Sequence, residues 1–117
     1  MELHLLHQAP LRFAKRVISL DENVAVVSNE FSSVPSLGML VEAAAQSSAA
    51  FSEKDEQKKM GYLASLKNIK LITSPTSLYY DIHITLGATI NNIGHFSFEA
   101  KQSDEVVASG SFVVVSV

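Results

Sequence analysis

The sequence predicts an α+β fold, an antiparallel sheet wrapped around one long central helix. Three observations carry this. The stretch VPSLGMLVEAAAQSSAAF, Val34 to Phe51, runs about 14 residues from Gly38 without a breaker, enough for a helix of ~20 Å. Leu78 to Leu86 alternates cleanly, with Leu78, Tyr80, Ile82 and Ile84 on one face and Tyr79, Asp81, His83 and Thr85 on the other. Turn residues at Asp21-Glu22-Asn23, Asn91-Asn92-Ile93-Gly94 and Gln102-Ser103-Asp104 cut the remainder into strand-length runs.

Taken in order, Leu3, Leu5 and Leu6 open the chain as a turn or a single helical turn ending near Pro10. Phe13 to Leu20 and Val24 to Phe31 read as two strands. Ser32 to Leu37 is a loop containing Pro35, and Ser36 is placed to cap the helix that follows. Ser52 to Lys59 is the most polar stretch and reads as a solvated loop or helix tail. Tyr62 to Thr73, Leu78 to Leu86, His95 to Lys101 and Glu105 to Val117 complete the strands, with Phe96, Phe98 and Ala100 sharing a face. The order is β-β-α-β-β-β-β in a single domain, 1–117, without an internal repeat. One sheet of this length does not cover a helix that is apolar nearly all round. Leftover apolar surface and open edges favour a symmetric homodimer, or a higher oligomer, that joins sheets side by side.

Composition narrows the function. With 117 residues, 47% hydrophobic and 18% charged, the chain can hold one core unaided. A net charge of -3, with no run of Lys or Arg longer than two, argues against nucleic acid or an anionic membrane as partner. There is no cysteine, so disulfides and thiol nucleophiles are excluded, which fits a cytoplasmic protein. No apolar segment approaches the ~20 residues of a membrane span, and MELHLLHQAP lacks the basic start of a signal peptide. His4 and His7 are three apart, but no carboxylate or Cys completes a metal set, and neither a metal nor a cofactor is expected.

The informative residue is Glu42, one carboxylate among the apolar and small residues of the helix. A carboxylate there must be paired, protonated or used. Gln46 lies one turn further along the same face and can orient Glu42 or a water. Hydrogen bonding to backbone or across a dimer interface is the plainer role for Gln46, as pairing with a backbone N–H or a buried water is for Glu42.

Three collinear stretches resemble 3-hydroxyacyl-acyl carrier protein dehydratases of the hotdog superfamily. His7-Gln8-Ala9-Pro10-Leu11-Arg12-Phe13 with Lys15 to Asp21 resembles the opening H-R-Y-P-F-L-L-V-D-R-V-L-E-L-D. Leu40-Val41-Glu42-Ala43-Ala44-Ala45-Gln46 resembles the helix motif I-V-E-A-L-A-Q. Tyr62 to Leu71, with Pro75 beyond, resembles F-L-A-G-I-D-K-A-R-F and the following V-P-G-D. The resemblance implies the hotdog fold. It departs at the loop before the helix, where the family reads G-H-F-P-G-R-P-V-M-P-G with a catalytic His. Aligning on Phe31 puts Glu30 at the His position, in a loop one residue shorter whose second proline is replaced by Leu37.

In such relatives the helix Glu acts from one subunit and the His from the other, and backbone N–H groups at the helix N-terminus polarise the thioester carbonyl. The resemblance therefore implies a site of Glu42, Glu30 and Gln46 as catalytic candidates, with Phe31, Leu37, Gly38 and Met39 as substrate-binding residues. Gly38 would let a substrate approach the backbone closely. Paired across a dimer, Glu30 and Glu42 would split their pKa values into one acid and one base. Some hotdog thioesterases need only one acidic residue on the helix. Hydrolysis of acyl carrier protein or coenzyme A thioesters thus fits these residues better than dehydration. The alternatives are a non-catalytic acyl-thioester or fatty-acid binding protein, and a partner subunit of an active hotdog protein, both derived from a dehydratase. His95 is an outside candidate for the missing acid/base, and His83 is expected on the exposed strand face.

Overall fold

The computed structural model describes residues 12–52 and 61–116. The Leu3–Leu6 turn, His4, His7, the start of the first dehydratase-like stretch and most of the polar Ser52–Lys59 segment lie outside the described residues. The elements are β1 (Ala14–Leu20), β2 (Val24–Glu30), α1 (Leu37–Ser47), a 3-10 turn (Ser48–Ser52), β3 (Gly61–Leu71), β4 (Tyr79–Ile90), β5 (Ile93–Gln102) and β6 (Glu105–Ser116). This is the order expected from the sequence. All strands join one antiparallel sheet in the order β1-β2-β4-β5-β6-β3, which leaves β1 and β3 at its edges.

Alternation sets the buried face. Ala25, Val27, Asn29 and Phe31 from β2 and its end, Tyr80, Ile82 and Ile84 from β4, and Phe98 and Ala100 from β5 all turn towards the helix and are buried. Leu40, Val41, Ala43 and Ala44 of α1 pack on Phe31 and the β4 and β5 residues, while Ala25 and Val27 form a second cluster with Ala14, Val17 and Ala50. The two alanines let the helix axis come close to the sheet. Leu40, wholly buried, contributes about 2 kcal/mol by its removal from water.

Bulges curl the sheet around the helix. In β3, Asn68 and Ile69 together oppose the single residue Gly110 of β6, and Asn68 takes the left-handed conformation at φ 55°. The bulge turns Ile69 against the core over Gly110. A Cβ at Gly110 would run into the Ile69 side chain and lie 3.2 Å from both the Ile69 Cα and the Phe98 ring. We expect Gly110→Ala to cost about 1–3 kcal/mol in urea denaturation, because a backbone atom and a packed ring must both yield.

Three expectations need adjusting. β4 runs on to Ile90 rather than ending at Leu86, because Gly87 and Ala88 form a second two-against-one bulge opposite His95 and the pairing resumes at Thr89. β3 ends at Leu71, and Ile72 and Thr73 instead send their amides to the carbonyl of Val107. Leu78 precedes β4 and is 37% exposed, its carbonyl accepting the amide of Phe31 at 2.8 Å rather than its side chain joining the Tyr80 face.

Candidate active site

The N-terminus of α1 is built as expected. Ser36 is extended (φ -80°, ψ 168°) and its Oγ accepts the Met39 amide at 3.2 Å, while its carbonyl accepts the Leu40 amide at 3.0 Å. Gly38 is exposed and Leu37 and Met39 are half-buried, so the first turn of the helix faces outwards. Glu42, one turn on, is half-buried, as is Ala45 after it. The helix therefore has a less covered flank along Gly38, Glu42, Ala45 and Ala49 within one chain, rather than being enclosed all round.

Glu30 is the last residue of β2 and is exposed, its amide donating to the Phe13 carbonyl at 3.0 Å. Phe31 is buried directly behind it. Its ring stacks on Phe13 at 4.7 Å and meets Tyr80 edge-on at 5.6 Å. In the single chain Phe31 thus supports the loop leading into α1 from below.

Gln46 is 6% exposed, and its Oε1 accepts the amides of Phe13 at 2.7 Å and Ala14 at 3.2 Å. The side chain seats the start of β1 against the helix. Beside it, Asn29 is 2% exposed and donates Nδ2 to the Val27 carbonyl (3.0 Å) and to Ser47 Oγ (3.1 Å), with Oδ1 left without a partner. Sequence reasoning missed Asn29, which occupies an apolar-phase position of β2.

The two histidines among the described residues lie away from this region. His95 is exposed and sits out of phase with the core residues Phe96 and Phe98. His83 is half-buried on the outer face of the sheet. There it lines a depression of about 450 Å³ with Lys70, Glu99, Ser97, Ser109 and Ser111, separated from Glu42 by the sheet itself. No group of three metal-ligating side chains occurs among the described residues, and no helix among them is long and apolar enough to cross a membrane.

The loop 72–78 borders the same end of the sheet. Tyr80 reaches into it from the core: its hydroxyl accepts the Ser77 amide at 3.2 Å and donates to Gln102 Oε1 at 3.3 Å. Burial pushes the phenol above its ordinary value of 10.0, and hydrogen bonds from the Ser77 and Thr76 backbone pull it partly back. A phenol raised in the folded state contributes stability that is complete below about pH 10 and is lost as pH climbs through the folded value. Tyr80→Phe should flatten the alkaline loss of stability in urea titrations between pH 9 and pH 12, at a cost of about 1 kcal/mol near neutrality.

No family model matches the sequence, and no curated protein matches it. Solved structures do. A chain of the dehydratase heterocomplex ApeI:P from Xenorhabdus doucetiae superposes with a TM-score of 0.83 at 17% identity, over 95% of this chain and 86% of that one. The chain has the hotdog fold. Other hotdog structures superpose less tightly. The PaaI protein of the E. coli phenylacetic acid degradation operon gives a TM-score of 0.68 at 16% identity over 86% of this chain and 81% of its own. A mutant of the thioesterase enzyme SAV0944 from Staphylococcus aureus gives 0.70 at 10% identity over 86% and 90%. At these identities the likeness is one of fold.

Proposed function

We propose that this hotdog protein acts on acyl thioesters of acyl carrier protein or coenzyme A, hydrolysing them with Glu42 as the acting carboxylate and without a cofactor. The observation that carries the reading is the half-buried Glu42 on the outward flank of α1, one turn beyond the exposed Gly38 of a capped helix start. The helix N-terminus offers positive dipole and open N–H groups to a developing oxyanion. Glu42 then activates water or attacks the carbonyl carbon. Leu37 and Met39 flank the acyl group, with Phe31 as the floor beneath the loop.

The reading includes a homodimer. β3 has a neighbour on one side only among the described residues, and it exposes Leu63 and Leu66. Pairing two β3 edges would extend the sheet across both subunits and bring a second chain to the helix flank. In that dimer Glu30 of one chain would approach Glu42 of the other. The test is a screen of the purified protein against acyl-coenzyme A and acyl carrier protein thioesters of several chain lengths. No hydrolysis of any of them would overturn the reading.

A second reading is supported by one specific observation. The match to a chain of a dehydratase heterocomplex accompanies the replacement of the family His by an exposed Glu30. On this reading the chain is a non-catalytic partner that pairs through β3 with an active hotdog subunit. A heterodimer that forms at the expense of the homodimer on mixing with such a subunit, as seen by native mass spectrometry, would favour it.

A further inference from the structure

One side-chain carbonyl oxygen gathers four donors. Gln102 Oε1, at the end of β5, accepts the amides of Thr76 (2.9 Å) and Ser77 (3.2 Å) and the hydroxyls of Thr76 (3.3 Å) and Tyr80 (3.3 Å). Its Nε2 donates to Glu105 Oε1 at 3.0 Å across the β5–β6 hairpin, which fixes the orientation of the amide. The loop 72–78 is thus clasped from the side by a residue some 25 positions away in sequence.

The clasp has a second side. Leu78, at the end of the same loop, gives its carbonyl to the Phe31 amide at 2.8 Å. The Tyr80 ring, whose hydroxyl sits in the clasp, packs edge-on against the Phe31 ring. Phe31 leads through four residues, Ser32 to Pro35, to the N-cap Ser36 of α1. A hydrogen-bonded and aromatic path therefore runs from Gln102 through the loop and Tyr80 to Phe31 and the helix start.

We infer that Gln102 is a positioning residue for the N-terminus of α1, acting through the 72–78 loop and Phe31 rather than by touching substrate. This rests on the proposed use of that N-terminus as the thioester carbonyl site. Short polar loops open readily unless their amides are held. Here the amides of Thr76 and Ser77 both donate to one side chain, the second shared with the Tyr80 hydroxyl, while Ile72 and Thr73 are held by the Val107 carbonyl. Losing Gln102 releases the Thr76–Ser77 half of the loop, removes a partner of Tyr80 and loosens what Phe31 leans on.

The experiment is amide hydrogen exchange on the full chain with Gln102→Met, which keeps length and removes the acceptor. Exchange at Thr76 and Ser77 should rise about tenfold, and at Phe31, Met39 and Leu40 about threefold, with Ile82 and Phe98 unchanged. The double variant Gln102→Glu, Glu105→Gln restores an acceptor at 102 and a donor at 105 and should return all five amides to wild-type rates. Acceleration confined to Thr76 and Ser77 would overturn the inference, as would a double variant that exchanges as fast as Gln102→Met. The link to catalysis is read separately with octanoyl-coenzyme A, where kcat should fall about tenfold in Gln102→Met with KM within about twofold. An unchanged kcat alongside the full exchange pattern would overturn that link. A wild type inert towards every thioester tested would overturn the hydrolysis reading, while the exchange pattern would still decide the positioning.

Discussion

Gln46→Leu is expected to lower folding stability by about 2–4 kcal/mol, read as a shift of the urea midpoint with an unchanged slope. Leucine fits the buried volume but accepts no hydrogen bond. The amides of Phe13 and Ala14, which both end on Gln46 Oε1, would lose their partner. Ala14 is fully buried, so water cannot readily replace it. Each orphaned donor costs about 1–3 kcal/mol, and the two are neighbours whose costs overlap. Gln46→Glu keeps the acceptor and should lose less, although it carries a charge into a buried site. A Gln46→Leu protein as stable as the wild type would show that β1 is seated by other contacts. Thioester assays on Gln46 variants must accordingly be read beside a stability measurement.

Glu42→Gln is expected to remain folded, within about 1 kcal/mol of the wild type, because the change is nearly isosteric and the residue is half-buried. Turnover of any thioester the protein hydrolyses should fall at least about 100-fold, equivalent to ~3 kcal/mol of transition-state stabilisation. An amide neither activates water as a base nor attacks as a nucleophile. KM should change little, since the carboxylate acts on the reacting carbon rather than on the acyl chain. Turnover unaffected by Glu42→Gln would remove Glu42 from the chemistry. Glu30→Gln adds a second reading of the same assay: a rate loss together with a shifted pH profile is expected only where Glu30 reaches the site across a subunit boundary.

Much of this architecture could be read from residue types. The alternation of β4 from Tyr80 to Ile84, the Ser36 cap and the position of Glu30 at a strand end all followed from local patterns. Local patterns also account for the misses. Gly87 and Ala88 look like a strand end, yet a bulge absorbs them and β4 continues to Ile90. Leu78 keeps the alternating phase in sequence, but its backbone has already left the ladder to meet Phe31. Gln46 was legible as a backbone hydrogen-bonder but not as the seat of β1, and Gln102 escaped altogether. Their partners lie 33 and 25 residues away, and an amide side chain in a helix or a strand end carries no signature of what it will hold. The carboxylate of Glu42 stood out because its neighbours are apolar. The orphaned Asn29 acceptor did not, because asparagine is common near strand ends.

The two edges of the sheet are unlike. β1 is seven residues long; like β3 it breaks register at two points and carries two cationic side chains, here Lys15 and Arg16. β3 is eleven residues long and exposes Leu63 and Leu66. A short strand is a poor template for addition, whereas a longer edge with exposed leucines invites it. Pairing of β3 with β3 uses both inviting edges at once and leaves only the two β1 edges at the margins. Under the proposed β3–β3 pairing, growth by strand addition would stop at two subunits, and the difference in length between the outermost strands would act as a guard against forming fibres.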